Sequence, residues 1–466
     1  MLVRDARRLV VFIAPVLLLV IFGLRLYYSP GSFPANVKAW VPSRFSKTFA
    51  DDKESPPNNG TPPADIPEPQ TTPGHDLVDP EVHQDAAPDD ALFSPEAGST
   101  YQEIFSLSTK DRKYFLIDFG EDQALNPNII PHPTIENTWI VVAQWLKEDA
   151  SSPWFTELVC NAEFQDDVLR CMNAPIPLPV AATIGDRCEG DLAYFNSNIG
   201  PHDARVFFGP EKPYAVYGSN SMFTCFGQFV QDFRTLLDWK GDRENLTEFR
   251  TGTEIQRPLS WNTIEKNWFL FWDSSGNMYA HYDITPKRVF ALLGSDGSAG
   301  PDLAPLAQAS DEKCMAKYLP QLPPDLESIH QATNSLQITM CQRSDPQCVP
   351  DDSNTFIFII YQHKTFYSYH SVYEPYVIVF RQQAPFEIHA MSRQPFWIHG
   401  RQRHPERSTS DMLYVTSMNW RQRDQRYHGY LDDELFLGFG IEDERAAGIN
   451  LLAGNLLENL GLCNEL

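Results

Sequence analysis

From residue 110 onward, apolar and aromatic residues occur in short runs that are separated by turns rich in Gly, Pro and Asp. Such runs predict β-strands, and two runs joined by a short turn predict a hairpin. The period of a helix is confined to two connecting segments, 227–237 and 303–319. Five strand pairs follow one another along the chain, within residues 126–145, 201–218, 265–284, 355–380 and 411–440.

This repetition of strand pairs predicts an all-β fold, a five-bladed β-propeller over residues 110–466, rather than a sandwich with its more regular spacing. In a propeller the innermost strands of all blades begin around one central channel. Polar residues near the start of a blade are therefore expected to converge on that channel. These residues are Asn126, Asp203, Glu265, Glu374 and either Asp432 or Asp433.

The amino-terminal 28 residues differ from the rest of the chain. Three arginines lie within residues 1–8, and an uncharged apolar run occupies residues 9–24. With the interfacial residues that follow, the segment 9–28 has about the length needed to cross roughly 30 Å of hydrocarbon. We expect a cytoplasmic tail at 1–8 and a transmembrane signal anchor at 9–28. A cleaved signal peptide is the alternative, although no small-residue cleavage site follows the run.

Residues 29–98 are rich in Pro and acidic residues and poor in apolar ones, which predicts a disordered stem. Residues 48–98 contain twelve acidic residues and one Lys, so this segment carries −11 of the formal charge of −24. An acidic balance of this size argues against a nucleic-acid partner, which needs a basic face.

All eight cysteines follow the predicted stem, and they show no CxxC metal pattern. Disulfides formed in an oxidising compartment are the better interpretation. Cys160 and Cys171, like Cys341 and Cys348, are near enough in sequence to pair locally, but the sequence leaves the connectivity open.

The stretch PHDARVFFGPEKPYAVYG, residues 201–218, places three ionisable side chains at the start of a strand that otherwise predicts burial. His202, Asp203 and Arg205 either form a salt-bridged strand end or are delivered to a site by the strand. A charged group at such a position is costly unless it is paired or wet, and the mouth of a channel supplies both water and ligand.

Three segments resemble the five-bladed propeller enzymes that act on mannosides, namely bacterial β-mannoside phosphorylases and fungal β-1,2-mannosyltransferases. HDARV at 202–206 stands where the phosphorylases have a Glu-Asp-Pro-Arg motif, and EKNW at 265–268 is similar to the start of their third blade. YHGYLDDELFLGFGIEDERAAGI at 427–449 is similar to the closing blade of the fungal enzymes. His202 and Ala204 depart from the phosphorylase motif at its Glu and Pro positions.

The resemblance implies that Asp203 is the catalytic, proton-transferring carboxylate, and a carboxylate near a cation suits that role. It also implies a glycosyltransferase that transfers mannose from GDP-mannose to a glycan, glycolipid or small acceptor. The predicted anchor, stem and luminal head are the plan of a type II enzyme of the Golgi membrane, and equally that of a cell-surface receptor. A diphosphate leaving group needs positive charge, and sugar hydroxyls are bound by carboxylates and amides. The predicted substrate-binding residues are His202, Arg205, Glu265, Lys266, His281, Asp283, His370, Glu374, Asp432 and Asp433.

No cofactor is predicted beyond the nucleotide sugar as co-substrate. A divalent metal is not indicated, because Asp432 and Asp433 are adjacent and successive side chains of a strand point to opposite faces. Asn245 is a predicted glycosylation site, and Asn59 is a weaker one because Pro62 follows its sequon.

Two other functions fit the same pattern. A glycoside hydrolase or mannoside phosphorylase of this fold would use Asp203, for hydrolysis together with Glu374 or Asp432. A non-catalytic sugar-binding propeller would use the channel mouth only as a platform. The structural alternatives are a simple Asp203–Arg205 pair, a Glu265–Lys266 rim pair and a solvated loop end at Lys287-Arg288.

Overall fold

The computed structural model describes residues 100–147, 153–239, 247–321, 327–367, 370–405 and 409–465. The predicted tail, anchor and stem and both predicted glycosylation sites, Asn59 and Asn245, lie outside these residues. Where the structure describes the chain, none of its helices has the length and apolar character needed to cross a bilayer.

The described part of the chain is almost entirely β-structure. Two α-helices occur, α1 at Gln308–Tyr318 and α2 at Ala453–Leu457. The strands, in chain order, are β1 Gln102–Ile104, β2 Phe115–Asp118, β3 Gln123–Pro131, β4 Trp139–Leu146, β5 Glu157–Gln165, β6 Val168–Cys171, β7 Ile176–Pro177, β8 His202–Phe208, β9 Pro213–Asn220, β10 Phe226–Asp232, β11 Thr253–Glu254, β12 Phe269–Trp272, β13 Met278–Asp283, β14 Val289–Leu292, β15 Glu327–Gln331, β16 Leu336–Thr339, β17 Thr355–Tyr367, β18 His370–Arg381, β19 Ile388–Ser392, β20 Phe396–Ile398, β21 Arg403–His404, β22 Thr409–Ser410, β23 Leu413–Trp420, β24 His428–Tyr430, β25 Glu434–Ile441, β26 Arg445–Leu452 and β27 Leu460–Leu462.

The strands form five consecutive antiparallel sheets, each of which is a blade. Blade 1 is β3 to β6, blade 2 is β8 to β11, and blade 3 is β12 to β14. Blade 4 is built on β15 and β16, which both pair with β17, followed by β18 and β19. Blade 5 is β23, β25 and β26, and β2 closes the circle because it pairs with β26 and also with β6 of blade 1. The all-β class of the prediction is confirmed, and this succession of blades is that of a propeller. The transmembrane anchor and stem that the prediction also included lie outside the described residues.

Side chains of the inner strands bond the blades to one another around the axis. Asn128 of blade 1 accepts a hydrogen bond from the Val206 amide of blade 2 (2.9 Å) and donates one to the Ala204 carbonyl (2.7 Å). The Asn419 amide of blade 5 donates to the Val206 carbonyl (3.2 Å), and the Ser417 hydroxyl donates to the Pro127 carbonyl (2.8 Å). These buried amides and hydroxyls satisfy backbone groups that no sheet ladder reaches.

The same contacts show which strand ends share a face of the propeller. Residues near the starts of β8, β12 and β23 meet, because Arg205 and Tyr414 both contact Asn267, two residues before β12. Asn126, near the start of β3, bonds to Asp203. We call this end of the propeller the mouth face. The opposite end carries the points where these inner strands finish.

Two glycines of blade 5 allow blade 1 to approach closely. A Cβ on Gly438 would lie 2.2 Å from the Pro127 carbonyl oxygen, and one on Gly440 would lie 2.6 Å from Asn126 Oδ1. We expect Gly438→Ala to destabilise the fold by about 1–3 kcal/mol, since the obstructing atom belongs to rigid backbone. Gly300→Ala is the control, because its Cβ would meet only ordinary contacts at 3.5 Å. Urea unfolding of both variants measures the difference, and equal stability would contradict the tight contact.

The two predicted helical segments have different outcomes. The segment 303–319 does contain a helix, α1. The segment 227–237 is wrong, since most of it is strand β10, which is buried along its whole length and pairs with β9. Pairing with neighbouring strands outweighs a weak helical period here.

All eight cysteines form disulfides. The two sequence-local pairs are present, Cys160–Cys171 and Cys341–Cys348. The other two join distant segments: Cys188–Cys225 ties the loop before blade 2 to β10, and Cys314–Cys463 ties α1 to the carboxyl-terminal residues.

Candidate active site

Asp203 is the open carboxylate of the mouth face. It is exposed although Ala204 and Arg205, which follow it in β8, are 2% and 4% exposed. The pairing of β8 with β9 shifts register between His202 and Arg205, so Asp203 lies in a β-bulge. Bulges re-aim side chains and are frequent beside active sites. The prediction that Asp203 opens towards the channel is consistent with this placement.

Groups of blade 1 hold Asp203 in place. Gln144 Oε1 accepts a hydrogen bond from the Asp203 amide (2.9 Å), and Glu157 Oε1 accepts one from the Ala204 amide (3.0 Å). Asn126 Nδ2 donates to Asp203 Oδ1 (2.8 Å). The bulge removes these amides from the ladder, and blade 1 supplies the acceptors that burial demands. The backbone around the carboxylate is therefore fixed from outside its own sheet.

The first three blades share one unusual backbone feature at the mouth. Asn126, Asp203 and Asn267 have φ values of 55°, 49° and 66°, the left-handed region that non-glycine residues seldom adopt. Asn and Asp tolerate this conformation better than most residues do. Local strain of this kind concentrates at functional sites. Its repetition at three blade starts marks the mouth as a site.

Arg205 connects blade 2 to blade 3 beneath the mouth. Its Nη2 donates to Asn267 Oδ1 (2.7 Å), and its Nη1 lies 3.5 Å from the Trp268 carbonyl. Tyr414 of blade 5 reaches the same Asn267 oxygen at 3.5 Å. The buried Arg205 guanidinium thus bonds to blade 3, two residues along β8 from the Asp203 carboxylate.

Blade 4 contributes aromatic and basic groups to this side. The Tyr373 ring lies 4.7 Å from that of Tyr414. Lys364 Nζ lies 5.6 Å from the centre of the Tyr373 ring, and His330 meets the same ring edge-on at 5.8 Å. The contacts traced inward from Asp203 therefore reach amides, phenols and cations of all five blades.

Glu374 and His370, both predicted to bind substrate, occupy other positions. Tyr373 faces Tyr414, so Glu374, the next residue of β18, points to the opposite face of the strand. There it pairs with Arg401 (3.4 Å), while burial raises the pKa of Glu374 and the guanidinium opposes the rise. His370 bonds to the Ser410 carbonyl (3.1 Å) and lies 3.6 Å from Glu442.

Glu265 and Asp283 are joined through Arg257. The Arg257 guanidinium lies 2.6 Å from a carboxylate oxygen of each of them. Glu265 also accepts a hydrogen bond from the Asn262 amide (2.7 Å) and is buried. These two predicted binding residues thus support the segment before β12, and the residue that this segment brings to Arg205 is Asn267. Lys266, which lies between Glu265 and Asn267 in the sequence, is exposed.

His281 belongs to the core and not to the mouth, which corrects its prediction as a phosphate-binding group. It is 2% exposed and stacks on Phe269 at 4.6 Å. Burial and the neighbouring charge of Arg288 lower the pKa of His281 well below its usual range, so it is neutral. Arg288 is likewise buried, with Asp311 at 2.8 Å, and is not a solvated loop end.

Asp432 and Asp433 lie at the opposite end of the propeller from Asp203, so the expected convergence does not include them. They precede β25, which runs antiparallel to the inner strand β23, and therefore they neighbour the end of β23 at Trp420. Asp433 pairs with Arg343 (2.6 Å), and Asp432 accepts the Arg343 amide (2.6 Å). They are bound to the loop that carries the Cys341–Cys348 disulfide.

His202 lies behind Asp203 with its imidazole covered. Its ring lies 3.9 Å from the ring of Phe155 and 5.3 Å from that of Phe226. Burial lowers the pKa of His202 to about 4, although the charge of Asp203 opposes the shift. At neutral pH the ring is uncharged, and this covered position between aromatic rings does not suit the substrate-binding role predicted for His202.

Glu157 is a group of this site that sequence reasoning missed. It is 0% exposed, and burial raises its pKa well above the usual range, with the charge of Asp203 adding to the rise. Glu157 therefore retains its proton to higher pH than an exposed glutamic acid does, and it lies behind the open carboxylate. Only its position at the start of β5, the third strand of blade 1, could have indicated it, because no motif contains it.

This buried acid gives a prediction on stability against pH. Because the folded pKa exceeds the ordinary 4.5, the folded protein retains a proton that the unfolded chain releases, so stability falls as pH rises above that value. We expect Glu157→Gln, which keeps the acceptor for Ala204, to gain stability relative to the parent chain between about pH 5 and pH 8. Urea unfolding at both values tests it, with Glu163→Gln on the same strand as control. If the free energy of unfolding changed equally with pH in Glu157→Gln and in the parent chain, the raised pKa of Glu157 would be contradicted.

Among the described residues, no cluster of three or more His, Cys, Asp or Glu side chains is arranged to hold a metal ion. Asp203, Asn126 and Asn267 supply oxygen atoms: Asn267 Oδ1 accepts from Arg205, whereas Asn126 Oδ1 has no hydrogen-bond partner among the described residues. Metal independence remains a prediction.

Comparison with known proteins finds similarity in structure alone. No protein family matches the sequence, and no curated protein matches it. A β-1,2-mannobiose phosphorylase from Listeria innocua is 10% identical, with 74% of this chain and 93% of that chain covered and a TM-score of 0.40. An α-L-arabinofuranosidase from Lactobacillus brevis is 11% identical over 71% and 90% of the two chains, with a TM-score of 0.35. An arabinanase from Bacillus subtilis is 9% identical over 72% and 96%, with a TM-score of 0.33.

At these TM-scores the propeller assignment rests on the sheets described above. The similar structures are glycoside hydrolases and a phosphorylase, so the prediction of a glycosyltransferase that uses GDP-mannose is contradicted. The resemblance holds for the propeller and not for the fungal mannosyltransferases, and a nucleotide-sugar donor is not supported.

Proposed function

We propose that this protein cleaves glycosidic bonds, with Asp203 as the group that donates a proton to the leaving oxygen. One observation carries the proposal: a neighbouring blade holds the exposed Asp203 carboxylate at the mouth. Asn126 donates to the carboxylate, and Gln144 and Glu157 accept from the backbone amides of Asp203 and Ala204. Rigid placement of a proton-transferring group is what general acid catalysis requires.

The surrounding groups suit a sugar ring. The side chains of Asn126 and Asn267 supply amides, and Tyr414 and Tyr373 supply phenol rings against which the apolar face of a sugar can pack. A few polar groups on a rigid, largely aromatic surface are typical of small-ligand sites.

Inorganic phosphate is the attacking group that these residues favour. Hydrolysis with inversion needs a second open carboxylate about 6.5–9.5 Å from the acid. On the mouth face Glu374 is paired with Arg401, and Glu442 accepts the Met412 amide and lies beside His370. Phosphate brings its own nucleophilic oxygen and needs positive charge, which Arg205 and Lys364 supply.

The proposed step conserves atoms and protons. The bond between the anomeric carbon and the glycosidic oxygen breaks while the Asp203 carboxylic acid donates its proton to that oxygen. An oxygen of hydrogenphosphate forms the new bond to the anomeric carbon, and the phosphate proton returns to the Asp203 carboxylate. The products are a sugar 1-phosphate and a free sugar, and the acid is restored.

Incubation of the full chain with β-1,2-linked mannobiose, with and without inorganic phosphate, tests the function. We expect mannose 1-phosphate only when phosphate is present. Release of free mannose alone would indicate hydrolysis and keep the role of Asp203 while replacing phosphate by water. Binding of the disaccharide without any cleavage would overturn the proposal in favour of a sugar-binding propeller.

The compartment follows as a further part of the proposal. We propose that the enzyme acts outside the cytosol, on the luminal side of the secretory pathway. The four disulfides among the eight cysteines support this, because such bonds persist in oxidising compartments.

A further inference from the structure

A pair of aromatic rings, one exposed and one partly buried, lies on the mouth face that also carries the proposed site. The loop between β9 and β10, residues 221–225, follows the end of β9, which pairs with the start of β8 at His202. It therefore lies at the same end of blade 2 as Asp203. Trp261 belongs to the segment before β12, where blade 3 begins. Both rings of the pair, Phe223 and Trp261, thus belong to the mouth face.

The two rings are stacked on each other, and we call this pair the aromatic platform. The Phe223 and Trp261 rings lie 5.1 Å apart and are nearly parallel, at 6°. Phe223 is 43% exposed, and its neighbour Met222 is 66% exposed. Large apolar groups exposed together on a folded surface mark an interaction site.

Contacts continue from the platform to the Asp203 site. Trp261 lies 6.0 Å from Trp268, whose carbonyl oxygen is 3.5 Å from Arg205 Nη1. Arg205 follows Asp203 by two residues in β8. The platform is therefore linked to the strand that carries Asp203 through Trp268 and Arg205.

The loop that carries Phe223 is held rigidly. The Glu254 carboxylate accepts hydrogen bonds from the Ser221 hydroxyl and from the Met222 amide (3.0 Å). The Thr224 hydroxyl donates to the Asn262 carbonyl (2.6 Å), which joins this loop to the Trp261 segment, and Cys225 is tied to Cys188. Preorganisation of this kind lowers the entropy cost of binding a ligand. A loop whose exposed ring binds nothing would not need this rigidity.

We propose that the aromatic platform binds a further pyranose ring of an oligosaccharide substrate, beyond the linkage that Asp203 protonates. The inference rests on the proposed function and names its substrate class as oligosaccharides longer than a disaccharide. Pyranose rings present an apolar face of C–H groups that packs on aromatic rings, while their hydroxyls remain in water. The Phe223 ring, supported from one side by Trp261, offers its exposed surface to one sugar ring, and Asn262 and Thr263 are exposed beside the pair.

Calorimetric titration of the full chain carrying Asp203→Asn, which binds without cleavage, tests the inference. The probes are β-1,2-linked mannobiose and mannotetraose. We expect the tetrasaccharide to bind at least about tenfold more tightly than the disaccharide, and Phe223→Ala or Trp261→Ala to remove most of that advantage. Leu292→Ala is the matched control, since Leu292 is 45% exposed but lies on the outer edge strand β14.

Equal tetrasaccharide affinities for Phe223→Ala and Leu292→Ala, or no binding by the parent chain, would overturn the platform. So would binding of the parent chain to phosphatidylcholine vesicles that Phe223→Ala abolishes while tetrasaccharide affinity is unchanged. The two proposals fail separately. If the parent chain cleaves the glycoside but Phe223→Ala and Trp261→Ala leave the tetrasaccharide affinity unchanged, only the platform is ruled out. Loss of affinity in a chain that cleaves no glycoside leaves a sugar site and removes the catalytic proposal.

Discussion

Replacement of Asp203 by Asn is expected to lower kcat for cleavage of β-1,2-linked mannobiose by about 10²–10⁴-fold, the usual contribution of a general acid. The amide cannot donate an acidic proton, although it keeps the shape of the side chain. Asn also tolerates the φ of 49° that this position requires. The melting temperature should therefore change little. Steady-state kinetics and thermal unfolding of the same preparation measure both quantities.

Asp166→Asn is the matched control for this variant. Asp166 is also exposed and left-handed, with a φ of 53°, but it lies in the turn between β5 and β6 at the opposite end of blade 1. Its activity should equal that of the parent chain. If Asp203→Asn retained parental kcat, or lost activity only in proportion to a loss of folded protein, Asp203 would not be the acid.

Removal of the Asp311 carboxylate should have the largest effect on stability. Asp311 on α1 is 3% exposed, pairs with Arg288 (2.8 Å) and accepts the Ile388 amide (2.8 Å). Asp311→Ala leaves a buried guanidinium without its counter-ion, which typically costs about 3–5 kcal/mol. Denaturant unfolding of the full chain measures the loss.

Glu312→Ala, at the next residue of the same helix, is the control, because Glu312 is exposed. Its unfolding free energy should remain within about 0.5 kcal/mol of the parent value. A loss for Asp311→Ala no larger than that of the control would contradict the role of Asp311 as the counter-ion that stabilises buried Arg288. The Phe386 carbonyl already accepts a hydrogen bond from Arg288 (2.7 Å) in the parent chain and supplies no negative charge.

The order of the blades was predictable from the sequence because each hairpin has its own local sequence pattern. Alternating apolar runs around short turns depend on neighbouring residues only, and the hairpin at 265–284 is one example. Helix α1 was predictable for the same reason. The strand in segment 227–237 was not predictable in this way, because β10 is stabilised by pairing with β9 and the hydrophobic period within the segment carries no information about that pairing.

The site was predictable only in part. Asp203 stood out as a charge at the start of an apolar strand, but the direction of a side chain within a blade depends on register. One position along β18 separates Tyr373, which meets Tyr414, from Glu374, which pairs with Arg401. Asp432 and Asp433 were predicted to lie at the same channel mouth as Asp203. They instead precede β25, which is the second strand of blade 5 and not its inner strand.

Groups that reach the site from another blade left no local signal. Glu157 and Gln144 bind the backbone of β8 from blade 1, at sequence separations of 47 and 59 residues. Nothing near either residue in the chain distinguishes it from an ordinary strand position. Only the closed arrangement of blades brings them to Asp203.

A crystal structure of the full chain carrying Asp203→Asn with β-1,2-linked mannobiose bound would test the central claim most directly. The account predicts that the glycosidic oxygen lies within about 3.2 Å of the side chain of residue 203, on the mouth face beside Asn126. A disaccharide bound at the opposite end of the propeller, or at the mouth with its glycosidic oxygen turned away from residue 203, would contradict it.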